Sequence, residues 1–227
     1  MNKKLTRKIE NKKEVLAWSM YDFANQPFTN LVVTFIYGTF FTTVIASNEI
    51  LGTQQWSHAV SITAIIVALL SPVMGAVADR GGYRKMFMFG FTWLTIIATT
   101  VLYFVLPGEV YRALFWFVIA NVGFEMGSVF CNAYLPDISH SKNIGRISGY
   151  GWSLGYVGGL IALALAMVFL VQAEMPIFGF GKGEVGAYEN IRATNLLVAI
   201  WFAIFSIPTF LFVKDRKPDT KALLQNV

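Results

Sequence analysis

A carboxylate stands in the middle of an apolar run. Glu125 lies in "FVIANVGFEMGSVFCN", residues 117 to 132, with Asn121, Ser128 and Asn132 at i−4, i+3 and i+7. On a helix these four share one polar stripe. An acid at such a depth could pass a proton across a barrier or hold a cationic group of a substrate. It could equally be a structural acid, hydrogen-bonded to a neighbouring helix. A second group lies in "YDFANQPFTN", residues 21 to 30, where Asp22, Asn25, Gln26, Pro27 and Asn30 sit among Trp18, Tyr21, Phe23 and Phe28. Amides and an acid in that density suit recognition of a small polar solute.

Covalent and metal chemistry find no support. His58 and His140 fall near opposite ends of apolar spans, so no histidine metal site follows. The single Cys131 gives neither an intrachain disulfide nor a metal pattern. "GFGKGEVG", Gly179 to Gly186, contains Gly181, Gly183 and Gly186 in G-x-G-x-x-G spacing, but no strand precedes it and no Ser or Thr follows Lys182. No cofactor, no metal and no enzymatic activity are expected.

The elements that must position these residues are membrane helices. The chain has 227 residues, 56% hydrophobic and 14% charged, against about 25% charged in a soluble domain. Six segments approach or exceed the 20 or so apolar residues a spanning helix needs: 27–46, 56–78, 86–106, 113–135, 147–171 and 193–213. The net charge of +5 comes from short basic clusters beside these spans. That pattern excludes a nucleic-acid surface and points to anionic lipid headgroups. Counted by alternate gaps, fifteen of the eighteen Lys and Arg lie on one side. Both termini are therefore expected in the cytoplasm. The basic start, Met1 to Lys13, is not expected to be a cleavable signal, because the span after it is too long and too polar at its entry.

Pro27 leaves two readings. In one, a single tilted helix runs from Val15 to Ala46 and Pro27 bends it, which frees backbone carbonyls toward a cavity. Asp22 would then sit roughly 13 Å from the membrane centre, with Asn30 central. In the other, Val15 to Gln26 lies on the membrane surface and Pro27 is the first residue of the span. In the fifth span, Gly151, Gly155 and Gly159 at spacing four predict close helix packing, and Gly123 and Gly127 do so in the fourth.

The loop between the second and third spans reads "GAVADRGGYRK". Gly75 would admit a neighbouring helix, Gly81 and Gly82 a tight turn. Arg80, Arg84 and Lys85 would hold the loop on the basic side. Asp79 opposes the dipole at a helix C-terminus and needs a partner. Asp137 and Arg146 flank the next loop on that side and could pair with each other or with the Asp79 loop, as a latch.

This loop resembles the signature between the second and third helices of the major facilitator superfamily. "AWSMYDFANQPFTNLVVTFIYGTFF" and "CNAYLPDISHSKNIGRISGYGWSLGYVGG" resemble its subgroup of unknown major facilitators, related to the vacuolar amino-acid effluxers of autophagy. The resemblance implies an all-α membrane protein, the N-terminal half of a major facilitator fold built as a 3+3 inverted repeat. It divides the chain into a cytoplasmic basic N-terminus (1–14), a six-helix domain (15–213) and a tail like the start of a central linker (214–227). It implies secondary active transport of a small polar solute by alternating access, an amino acid among the candidates, in a bacterial cytoplasmic membrane. Asp22, Asn25, Gln26, Asn30, Asn121, Glu125, Ser128 and Asn132 would form the solute and proton pathway. Gly75, Asp79, Arg80, Gly82, Arg84, Lys85, Asp137 and Arg146 would form the gating loop. The expected partners are membrane lipids, the solute and a second six-helix half. The alternative is a truncated or regulatory half-protein without transport of its own. The fifth span carries Tyr156 after Gly155, where the superfamily's antiporter signature has proline, so antiport gains no support.

Overall fold

Six long apolar helices make up the protein: span 1 (Lys12–Ile45), span 2 (Glu49–Ala78), span 3 (Arg84–Leu102), span 4 (Val110–Ile138), span 5 (Ile144–Val171) and span 6 (Glu189–Phe212). The computed structural model describes residues 11–215, apart from the side chains of Asp79, Arg80 and Ile177. Most of the expected basic N-terminus and nearly all of the expected linker-like tail lie outside the described residues. No strand occurs among the described residues. The six apolar runs are all spans, and the chain is an integral membrane protein.

Span 1 settles the two readings of Pro27. The Asn11 side chain caps the helix by accepting from the Lys13 amide at 3.2 Å, and helix continues through Pro27, which is internal to it. Beyond the proline the backbone widens into π-helix over Phe28–Phe35, bends at Ile36, and alternates again with Tyr37–Phe40 and Phe41–Ile45. A proline cannot donate to the carbonyl four residues back, and its ring crowds that carbonyl. The π segment absorbs the misfit. The expectation that the freed carbonyl would line a cavity is corrected here. Phe23 O, four residues before Pro27, accepts from the Trp201 indole at 3.0 Å.

Span ends follow local chemistry. Span 3 stops at Leu102, short of the expected Leu106, where the chain tightens into i→i+3 bonds from the Tyr103, Phe104 and Val105 amides and then meets Pro107, which disfavours helix at Leu106. Span 6 starts at Glu189 and takes in Arg192, whose guanidinium folds back onto the carbonyls of Tyr103 (2.6 Å) and Ala187 (3.0 Å). Spans 2 and 3 join through Gly82, left-handed at φ 67°, as the turn signature predicts. Gly75 is a correction: no described atom approaches within 4 Å of the place its Cβ would take. Among the described residues no helix uses its smallness.

Span 1 is central. Aromatic side chains fill the interior around it at both ends: Tyr37, Phe41, Trp56 and Phe117 at one, Trp18, Tyr21, Phe130 and Phe202 at the other. Trp56 stacks on Phe117 with ring centroids 3.9 Å apart. Span 2 differs from the rest. It touches the bundle along one narrow edge and leaves Ile62, Ile65, Leu69, Val73 and Val77 exposed, together with Ser57, His58 and Ser61.

Candidate functional site

The polar residues of span 1 divide by helical position. Asp22, Gln26 and Asn30 recur at spacing four and form one column. It faces Gly151, Gly155 and Gly159 of span 5, which also recur at spacing four. A Cβ on Gly155 would lie 3.3 Å from Asp22 Cβ, and one on Gly159 would lie 2.9 Å from Gln26 Cγ and in contact with the Asn30 amide. The glycines let the span 5 backbone approach the polar column, which stays half-buried. Sequence reasoning recognised the glycine column, but it took Asp22, Asn25, Gln26 and Asn30 as one polar group and did not see that three of them form a column facing the glycines. Their shared period was the available signal.

Asn25 points elsewhere. It is buried, and its Nδ2 donates to Ser128 Oγ on span 4 at 3.4 Å. One turn earlier, Tyr21 OH and Thr92 Oγ1 of span 3 lie 2.7 Å apart. Gly127 gives the tyrosine room, since a Cβ there would come within 2.5 Å of its oxygen. Gly123 similarly admits Phe91 and Thr95 of span 3. Both small residues of the expected pair are used for packing.

The span 4 stripe is less uniform than expected. At 100° per residue its four members spread over an arc of about 60°. Asn121 is buried and Ser128 bonds to Asn25, whereas Glu125 and Asn132 lie on the exposed side. That side also carries Tyr111, Phe115 and Val129. Between it and span 2 lies a cavity of about 540 Å³, lined in part by Gln55, His58, Tyr111 and Phe115. Gln55 Oε1 is buried there without a hydrogen-bond partner among the described residues. No pattern of residues had pointed to Gln55.

The gating-loop residues cluster at one end of the bundle. Arg84 Nη1 meets Asp137 Oδ2 at 3.0 Å and the Ala133 carbonyl at 3.4 Å. Of the two expected alternatives for Asp137, contact with the motif loop is therefore found. Lys85 Nζ donates to Val213 O at 2.8 Å, and its amide to Asp215 Oδ2 at 3.4 Å. Asp215 also accepts from Tyr134 OH at 2.6 Å. The Lys214 amide donates to Glu14. The motif loop thus ties the ends of spans 4 and 6. Arg146 lines a groove beside the start of span 1. The side chains of Asp79 and Arg80 are outside the described residues.

The opposite end is closed by a loop. Gly181 and Gly186 approach so closely that a Cβ on either would strike the other's backbone. The Gly181 amide donates to Glu189 Oε2 at 3.1 Å. The G-x-G-x-x-G spacing is therefore used for a tight turn on the protein's own carboxylate. Glu189 Oε1 also accepts from Tyr103 OH at 2.6 Å, and that bond holds the phenol above its ordinary pKa. Glu109 is held below the usual carboxylate range by the Leu106 amide and by Arg112. Among the described residues no cluster of His, Cys, Asp and Glu could hold a metal.

Comparison with known proteins agrees with this architecture. The chain is 29% identical over 211 residues to a protein of Bacillus subtilis described as an uncharacterized MFS-type transporter, YxiO, covering 90% of this chain and 47% of that one. It is 22% identical to Autophagy-related protein 22 of Yarrowia lipolytica, covering 71% and 35%. With an uncharacterized protein of Aquifex aeolicus it shares 28% identity, covering 78% and 48%. The chain thus spans about half the length, or less, of these relatives. No solved structure matches it. The model of the family described as "Vacuole effluxer Atg22 like" matches residues 55–145 and 137–227, and the chain belongs to that family of transporter-like membrane proteins.

Proposed function

We propose that this chain is the N-terminal half of a secondary active transporter, which moves a small polar solute by alternating access once paired with a second six-helix half. An amino acid is the first substrate class to test, as the resemblance to the vacuolar amino-acid effluxers implies. The single observation that carries the reading is Glu125, a carboxyl at mid-span on a face left exposed among the described residues. In hydrocarbon an unpaired acid is costly, so such a face belongs to a watered cavity or to a partner. Gln26 and Asn30, half-buried on span 1 near that level, and Asp22, about two turns nearer the basic end than Asn30, supply polar contacts, and Glu125 the proton-exchanging group. The basic ends of the spans, with Arg84 and Lys85, are assigned to the cytoplasm of a bacterial cell.

Proteoliposome flux tests the reading. The assembled pair should carry a radiolabelled amino acid mixture down an imposed pH gradient, and Glu125→Gln should retain solute binding while flux loses its response to the gradient. If Glu125→Gln leaves the pH dependence of flux intact, the coupling role is wrong. If no amino acid stabilises the chain alone or paired, the substrate class is wrong.

A further inference from the structure

A groove of about 490 Å³ runs between the starts of spans 1 and 5, away from the polar columns. At its rim stand Lys12 and Arg146, each in the first turn of its helix. Spans 1 and 5 start at the same end of the bundle, so two positive helix ends lie beside these cations. Deeper, at Ser19 and Ser153, seven residues further along each helix, the groove holds hydroxyls about 10 Å from the rim. Ser19 is 1% exposed, and its Oγ has no hydrogen-bond partner among the described residues. That is unusual for a helical serine, which ordinarily bonds back to its own helix. Leu16, Tyr150 and Leu154 form largely apolar walls. Asp22 lies deeper, against Gly151 and Gly155, and is not part of the lining.

We propose that this groove binds one anionic phospholipid. Three tiers of chemistry match three parts of such a molecule. The cations at the rim take the phosphate, the Ser19 and Ser153 hydroxyls donate to ester carbonyls, and the walls lead the acyl chains into the bilayer. A free phosphate would use the rim but leave the hydroxyls and apolar walls without a role. The basic end of a membrane protein is also where anionic headgroups are held. The proposal does not rest on transport, and its test reads no flux.

Native mass spectrometry and thermal unfolding of the purified full chain in mild detergent decide it. Dioleoylphosphatidylglycerol should remain bound and raise the melting temperature. Dioleoylphosphatidylcholine and inorganic phosphate should do neither. Lys12→Gln with Arg146→Gln should weaken the phosphatidylglycerol affinity about thirtyfold, as the loss of two charges near anionic lipid implies. Lys12→Gln alone, in an exposed first turn where folding is safe, should weaken it about fivefold. Equal binding of phosphatidylcholine, stabilisation by phosphate alone, or unchanged affinity in either charge variant would each overturn the proposal.

Discussion

At Gly159 a single hydrogen atom decides how close two helices come. A Cβ there would press on Gln26 and Asn30, both held by the span 1 backbone. At Gly90 the same added carbon meets nothing within 4 Å. Gly159→Val is therefore expected to destabilise the protein by about 1–3 kcal/mol, the usual cost of overpacking. Gly90→Ala should be neutral or slightly stabilising, since alanine is the better helix former. Thermal unfolding of both variants in detergent checks this, and equal melting temperatures would remove the basis for the facing columns. A second residue-scale contrast concerns ion pairs. Arg84 and Asp137 are 26% and 31% exposed, so their pairing is worth about 0–1 kcal/mol. Asp137→Asn should barely move the melting temperature. Its effect is expected in the exchange of amides at the ends of spans 3 and 4, read by hydrogen–deuterium exchange. Part of this scale was legible beforehand: the glycines at spacing four were read as a packing face, and the polar residues of span 1 as a dense group without their period. What could not be read was direction. Asn25 and Gln26 are neighbours in sequence, yet they face spans 4 and 5, because successive helical residues point about 100° apart.

At the scale of elements, span 1 shows how a proline is accommodated inside a spanning helix. Pro27 removes the donor for Phe23 O, and a buried carbonyl without a partner costs about 1–3 kcal/mol. Trp201, 178 positions away, supplies the missing N–H. Its ring also stacks on Phe23 with centroids 5.2 Å apart, so truncating it would lose packing as well. Trp201→Phe keeps most of the ring and isolates the hydrogen bond. In the natural sequence that change should cost about 1–3 kcal/mol. In a Pro27→Ala background the backbone can satisfy Phe23 O by itself, and the cost should fall to a fraction of that value. A double-mutant cycle from unfolding midpoints measures the coupling, expected at about 0.5–3 kcal/mol. A coupling of zero would mean that the indole bond is incidental to the proline. The existence of all six spans was legible from apolar length alone, whereas their ends were not. Leu102, Glu189 and Lys12 bound their helices through the tightened turn before Pro107, the folded loop at Gly181 and the Asn11 cap, and none of these leaves a mark on hydropathy. The contact of the motif loop with Val213 and Asp215 was likewise invisible, since it joins residues about 130 positions apart.

For the whole molecule, the telling feature is uneven burial. Spans 1, 3, 4, 5 and 6 each bury a substantial face, while span 2 and the Glu125 side of span 4 do not. Lipid would suit Ile62, Ile65 and Leu69. It would not suit Ser57, His58 and Ser61, or Glu125 and Asn132, which are exposed along the same side of the bundle as the cavity between spans 2 and 4. Under the proposed reading, this surface of mixed apolar and polar character at membrane depth meets a second six-helix half with water between; the chain itself spans about half the length of the relatives it matches. Because the single Cys131 is buried, introduced thiols can map that partner with little background. Ala64→Cys on span 2 and Ile200→Cys on span 6 both place a thiol at an exposed position of the chain by itself. Co-expression with a second six-helix half should slow labelling of Ala64→Cys by a membrane-permeant maleimide at least tenfold, while Ile200→Cys, on the lipid side, keeps its rate. Equal protection of the two thiols would put the partner on the wrong face. Protection of neither would mean that the exposed side of span 2 meets lipid after all, and that Glu125 must find its water within a single six-helix unit.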